Sequence, residues 1–243
     1  WLRRHLTPRQ KYEVNKLGIP GLDFRDEERR VYPSAALASH ILGHTDIDNR
    51  GLAGVERHFN QKLRGSRTPL KLSIDIRVQH AMRKELATAV REFRGIGAAG
   101  IVMDVRNGEV ISIVSLPDFD PNRPSNIQPD TRFNRATLGV YEMGSTFKIF
   151  TTAMALDTGR ISMRDGYDAT HPIRIARFVI RDYHAKRRWL SVPEIFMYSS
   201  NIGSAKMALD VGIAGQRAFL QKVGILHPSP VEISEVGAPL IPS

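Results

Sequence analysis

The chain has 243 residues, 42% of them hydrophobic and 25% charged, which is enough apolar material for a real core. Its net charge of +10 favours anionic partners, and the absence of cysteine excludes disulfides, thiolate metal sites and cysteine nucleophiles. No apolar run reaches the ~18 residues of a membrane span, and no signal-peptide pattern opens the chain.

The basic excess is arginine, 26 against 9 lysines, and it is dispersed. Its densest stretch, Arg174 to Arg188, has few stackable aromatics and lies beside no glycine-rich RNA signature or helix-turn-helix cue. The expected role is a solvated face, with a patch toward an anionic polymer or membrane as the rival, and nucleic acid is not an expected partner.

In chain order, Thr7-Pro8-Arg9-Gln10 predicts a helix start, with Thr7 as N-cap, Pro8 at the first helical position and Gly18 as the stop. Ala35 to Leu42 is a short apolar stretch closed by Gly43, and Gly51, Gly54 and Gly65 punctuate connections. Leu70 to Ile74 alternates apolar and polar residues as a half-buried strand does. Val78, Met82, Leu86, Ala89, Val90 and Phe93 fall at helical spacing. Two apolar strands follow, Ala99 to Val105 and Glu109 to Ser115. Asn107-Gly108 between them predicts a type I′ hairpin turn. Leu116 to Thr131, with four prolines, reads as a long functional or mobile loop. Ser145 to about Thr158 reads as a central helix, apolar on nearly every side and therefore buried. Helices are also expected over Val192–Phe196, Ile202–Val211 and around Gln216–Val223, before a proline-containing tail of loop or edge strand.

The chemistry rests on Ser145-Thr146-Phe147-Lys148. Helix positions three apart share a face, so the hydroxyl and the amine can meet. A serine becomes nucleophilic when an adjacent base takes its proton, and burial lets lysine be that base by disfavouring its charged form. At a helix N-terminus Ser145 would also meet backbone N–H groups that favour developing negative charge. The rival reading is an N-cap serine beside a snorkelling lysine. Ser199-Ser200-Asn201 carries the same ambiguity: helix cap, or proton relay (Ser199) and carbonyl holder or lysine partner (Asn201). His44, His58, His80 and His184 form no metal-ligand spacing. Asp182 and His184 draw no role.

Glu142-Met143-Gly144-Ser145-Thr146-Phe147-Lys148 and Ser199-Ser200-Asn201 resemble the first two active-site motifs of penicillin-binding transpeptidases. Arg30-Val31-Tyr32-Pro33 and Gly51-Leu52-Ala53-Gly54-Val55-Glu56 resemble motifs in the N-terminal module of the class B, monofunctional members, cell-division type. Pro117-Asp118-Phe119-Asp120-Pro121-Asn122 and Asn134-Arg135-Ala136 are similar to the family's approach to the nucleophile. The resemblance implies an α+β fold of the penicillin-binding transpeptidase and serine β-lactamase type. Residues 1–66 would be part of a non-catalytic N-terminal module and 67–243 the first portion of the transpeptidase domain. It implies that Ser145 attacks a D-Ala-D-Ala stem peptide with Lys148 as base, assisted by Ser199 and Asn201, without metal or organic cofactor. β-Lactams would acylate the same serine. The implied partners are peptidoglycan stem peptides or their lipid-linked precursor and division-complex membrane proteins. The implied setting is the periplasmic face of a bacterial inner membrane, on a membrane-anchored parent.

Two departures stand against that pattern. Met143 occupies a place where the family usually has proline, and no Lys-Thr-Gly or Lys-Ser-Gly occurs in the sequence. The expectation is therefore a cut piece, lacking strands of the central sheet and not competent alone. A serine β-lactamase, a β-lactam sensor and a non-catalytic division scaffold are the alternatives.

Overall fold

The computed structural model describes residues 1–66 and 68–241; the expected domain boundary at Arg67 and the proline at position 242 lie outside the described residues. The architecture is mixed α+β, and the chain divides into two compact units. One comprises Trp1–Gly139 with Pro230–Val236, and the other Val140–Ser229 with the residues from Gly237.

The first unit opens with α1 (Pro8–Lys16), whose N-terminus is closed by a reciprocal capping box between Thr7 and Gln10. Gly18, at φ 61°, follows its end. A 3-10 turn (Ala35–Ala38) leads into α2 (Ser39–Leu42), then α3 (Gly54–His58) and α4 (Asn60–Gly65). Here the glycines have a packing reason. A Cβ on Gly54, whose φ is 58°, would stand 2.5 Å from the Ile41 carbonyl oxygen. The motif residues meet: Glu56, buried, forms an ion pair with Arg30 (Nε to Oε1 2.9 Å) and accepts from Arg30 Nη2 at 3.3 Å and from the Tyr32 hydroxyl at 3.5 Å. Burial beside that carboxylate pushes the Tyr32 phenol up to about 12.

The long helix α5 (Ile76–Glu92) packs on a hairpin of β1 (Ala98–Met103) and β2 (Val110–Leu116). Ala98 faces Leu116, and the register slips between Val102 and Met103. The hairpin stands where Asn107-Gly108 put it, but the turn is wider than the type I′ expectation. Asp104 and Glu109 flank it, and Gly108 alone takes positive φ, at 78°. Side chains hold the wider loop: Asp104 Oδ1 accepts from Arg106 N at 3.0 Å, and Asn107 Oδ1 from Glu109 N at 2.9 Å. Leu70 to Ile74 is not a strand. Its alternation does sink Leu70, Leu72 and Ile74 toward the core, but only Ser73 Oγ and Asp75 N reach β2 or its approach, at the Val110 and Ile111 carbonyls.

Gln79 is buried at 1% exposure and satisfied on every side. Its amide donates to the Leu37 and Ile113 carbonyls, at 2.9 and 2.8 Å. Its oxygen accepts from Ser112 Oγ and Ile113 N. The proline-rich segment after β2 is tied down rather than loose. It holds a 3-10 turn (Pro124–Asn126) and α6 (Pro129–Arg132). Asp118 takes Arg83 in a two-point ion pair, and Phe119 is buried edge-on between His40 and His44. The Asn122 side chain both accepts from Tyr32 N (3.0 Å) and donates to Tyr32 O (2.9 Å). The tail is irregular, yet Ile233 enters this unit's core and Glu235 accepts from Gly54 N at 2.9 Å.

In the second unit a 3-10 turn (Gly144–Phe147) runs into α7 (Lys148–Asp157). The short pairs β3 (Gly166–Asp168) with β6 (Trp189–Ser191), and β4 (Ile173–Ile175) with β5 (Phe178–Ile180), are antiparallel. The basic stretch therefore forms the β4–β5 hairpin and the irregular segment that leads to β6, with its arginines and lysine exposed. Helix α8 (Val192–Met197) starts at a Ser191–Glu194 capping box. The run α9 (Asn201–Lys222) is broken at Gly212 (φ 74°, ψ 169°), which makes it the two expected helices. Leu190, Val192, Ile195, Ile202 and Met207 form the core with Met154 and Ala155 of α7. The expectation that α7 is buried all round is corrected: Met154 and Ala155 are buried, while Phe147 and Ile149 on the same stretch are 41% and 50% exposed. The described residues cover one face of this helix.

Candidate active site

Gly144, at φ 53°, turns the chain into the 3-10 turn that carries Ser145. This corrects the helix boundary. Ser145 lies one turn ahead of α7 rather than at its first position. Lys148 is the first residue of α7, and a 3-10 turn also brings positions three apart together. Ser145 is exposed and Lys148 half-buried, with Nζ 3.3 Å from Ser145 Oγ.

The second motif arrives from the other side of Lys148. The chain leaves α8 through Ser199, a non-glycine residue at φ 53°, and enters α9 at Asn201. That left-handed step is held by main-chain bonds, Ser199 N to Phe196 O at 3.1 Å and Ser200 N to Ile195 O at 2.9 Å. Lys148 Nζ then donates to Ser199 O (2.6 Å), Ser199 Oγ (2.9 Å) and Asn201 Oδ1 (2.6 Å). All four sequence-predicted residues thus meet at one amine.

The cap alternative falls to a different residue. Ser200, at 2% exposure, is the N-cap of α9, and its Oγ accepts from Gly203 N at 3.0 Å. This leaves the side chains of Ser199 and Asn201 to turn toward Lys148. Asn201 is oriented unambiguously, because its Nδ2 donates to Arg181 O at 2.7 Å and so presents Oδ1 to the amine.

Sequence reasoning missed Asp182. Its carboxylate accepts from Ser200 Oγ (2.9 and 3.1 Å) and from Ile202 N (2.9 Å), directly behind the motif. No local signal marks it, since the partnership is made by the fold across 18 positions. Burial pushes the Lys148 ammonium below its ordinary range, and the Asp182 carboxylate opposes that shift. Among the described residues no group of three or more His, Asp or Glu could hold a metal ion. No helix among them is long and apolar enough to cross a membrane.

Comparison with known proteins adds family evidence. The model of the penicillin binding protein transpeptidase domain matches residues 98–238, and that of the penicillin-binding protein dimerisation domain residues 2–75. The chain is 43% identical over 243 residues to a probable peptidoglycan D,D-transpeptidase FtsI of Caulobacter vibrioides, covering 98% of this chain and 41% of that protein. It is 31% identical over 234 residues to the peptidoglycan D,D-transpeptidase FtsI of Escherichia coli K12, covering 86% and 40%. The chain therefore spans about two fifths of the length of these curated relatives. A solved structure titled a putative peptidoglycan glycosyltransferase from Atopobium parvulum superposes with TM-score 0.78 at 24% identity, over 88% of this chain and 54% of that one. Pseudomonas aeruginosa PBP2 in complex with WCK 5153 does so with TM-score 0.74 at 23% identity, over 91% and 56%. These two likenesses speak for the fold, and the α+β architecture is the one they share.

Proposed function

The chain belongs to the penicillin-binding protein transpeptidase family, and from that premise we propose that it carries the acylating half-site of a peptidoglycan D,D-transpeptidase of the cell-division type. The observation that carries the reading is the convergence of Ser145 Oγ, Ser199 Oγ and Asn201 Oδ1 on Lys148 Nζ.

Proton accounting gives the mechanism. A neutral amine has two hydrogens and one lone pair. The Ser199 carbonyl and Asn201 Oδ1, each 2.6 Å away, can only accept, so they take both hydrogens. The lone pair is left for a hydroxyl, and the Ser145 proton moves to Lys148 Nζ as Oγ attacks the carbonyl of the penultimate D-alanine. The bond formed is the Ser145 ester and the bond broken is the D-Ala-D-Ala amide. The departing amine takes its proton from Lys148 by way of the Ser199 hydroxyl, 2.9 Å from Nζ. An amine of a second stem peptide then resolves the ester. A β-lactam would form the same ester with Ser145, with its ring opened in place of a departing amine.

In this reading residues 1–66 belong to the N-terminal module and 67–243 to the transpeptidase domain. The substrate is a peptidoglycan stem peptide or its lipid-linked precursor. The setting is the periplasmic face of the inner membrane at the division septum, with division-complex membrane proteins as partners.

The test uses a polypeptide extended to the relatives' length and treated with a fluorescent penicillin. Wild type should hold the label for many minutes, and Ser145→Ala should take none. Label that persists in Ser145→Ala overturns the reading, and release within seconds points to a β-lactamase instead.

A further inference from the structure

Behind the serine-lysine pair lies a segment that the proposed mechanism does not use: the strand exit at Arg181 and Asp182. We propose that Asp182 is a positioning residue for acylation, clamping the Ser199-Ser200-Asn201 turn so that Ser199 and Asn201 stay on Lys148. The proposal rests on the function proposed above.

The clamp has three bonds, all made by two adjacent residues. The Asp182 carboxylate receives the Ser200 hydroxyl (2.9 Å) and the Ile202 N–H (2.9 Å). The main-chain carbonyl of Arg181 receives Asn201 Nδ2 (2.7 Å). Two bonds land on Ser200 and Asn201 of the turn and the third on Ile202, the residue after it. Ser200 Oγ thereby accepts from Gly203 N and commits its one proton to Asp182. Ser200 is buried, so loss of the carboxylate would take away the acceptor of its proton. The turn needs such support because Ser199 is held in the left-handed region, where a side chain is disfavoured. A slip there would move the Ser199 carbonyl and hydroxyl, two of the acceptors on Lys148 Nζ.

The carboxylate also acts at a distance. Charged groups near the turn include Lys148 on its front, Asp182 and exposed Arg181 behind it, Lys186 4.5 Å over the Tyr198 ring, and the Arg188–Glu194 pair. Asp182 favours the charged form of Lys148. A charge-free isostere separates the two effects, because an amide at 182 keeps an oxygen for Ile202 N and Ser200 Oγ while removing the charge.

The experiment measures the second-order rate of penicillin acylation against pH, in polypeptides of the relatives' length. Asp182→Ala should lower the rate about 10- to 100-fold, the usual cost of a small misplacement around reacting groups. Ser200→Ala should lower it too, and the double variant should lose less than the two single losses combined, because the Ser200–Asp182 bond is common to both. Asp182→Asn should keep most of the plateau rate and move the acid limb of the profile to lower pH. Additive losses in the double variant, or a rate and acid limb unchanged in both Asp182 variants, would overturn the clamp. Those outcomes leave Ser145-dependent labelling intact, so failure of the clamp is distinct from failure of the proposed function. Should Asp182→Ala not fold, Ser200→Ala decides: an unchanged acylation rate in that variant overturns the clamp.

Discussion

Around Lys148 stand four oxygen acceptors within 3.3 Å, one more than an ammonium has hydrogens and two more than an amine has. Two of them are carbonyl oxygens that cannot reverse their role, so the amine's free electron pair is aimed by elimination. Its charged form is disfavoured by burial, and acylation should therefore rise with pH through a value below the ordinary lysine range. Below that value the amine is protonated and cannot take the serine proton. Lys148→Arg, which stays charged at all usable pH, should lose about 10²- to 10⁴-fold in acylation rate at every pH, as read by penicillin labelling. A variant that kept the wild-type rate would remove Lys148 from the reaction. At this scale the sequence was informative where spacing is local: Ser145 and Lys148 are one turn apart, and Ser199 and Asn201 flank a cap. It was silent on Asp182 and Gln79, because their partners come from elements 18 and 33 or more positions away. A glutamine inside an apolar helix pattern gives no hint that four main-chain and hydroxyl groups await it.

The helices with chemical punctuation were legible. Thr7 with Gln10 and Ser191 with Glu194 are reciprocal caps, and both helices start where those caps predict. Leu70 to Ile74 failed as a strand because alternation encodes which side faces the core, whereas a strand also needs a neighbour's ladder. The proline-rich segment departed in the other direction: its prolines interrupt long elements yet open a 3-10 turn and a short helix, and they do not forbid tight packing. That segment makes a prediction of its own. His40 and His44 flank Phe119, and burial lowers the pKa of both imidazoles from the ordinary 6.5. The folded state thus resists protons that the unfolded chain accepts. Stability from these groups is full above about pH 6.5 and is lost as pH falls toward their lowered values. The urea midpoint should drop between about pH 7 and about pH 5, with a shallower slope in His40→Gln. An identical slope in that variant would show that His40 carries none of the linkage.

Across the whole molecule, each unit has its own apolar cluster, and every sheet among the described residues is two-stranded. β1 is paired on one side only, and its Ile101, Val102 and Met103, with Phe147 and Ile149 beside Ser145, stand exposed. The 243-residue chain in isolation should self-associate with rising concentration and bind a hydrophobic dye. Sedimentation velocity across a dilution series checks this, and a dye-silent monomer at all concentrations would refute it. No periodicity in a sequence reports such exposure, since an apolar position reads the same whether or not something covers it. One tie across the first unit limits what can be exchanged: Asn122 grips both the N–H and the carbonyl of Tyr32, 90 positions earlier. A carboxylate there has no hydrogen for the carbonyl, a hydroxyl cannot span both groups, and glutamine is a methylene too long. In a saturation library selected for folding, position 122 should return one letter, dictated by the two-faced amide rather than by size or polarity.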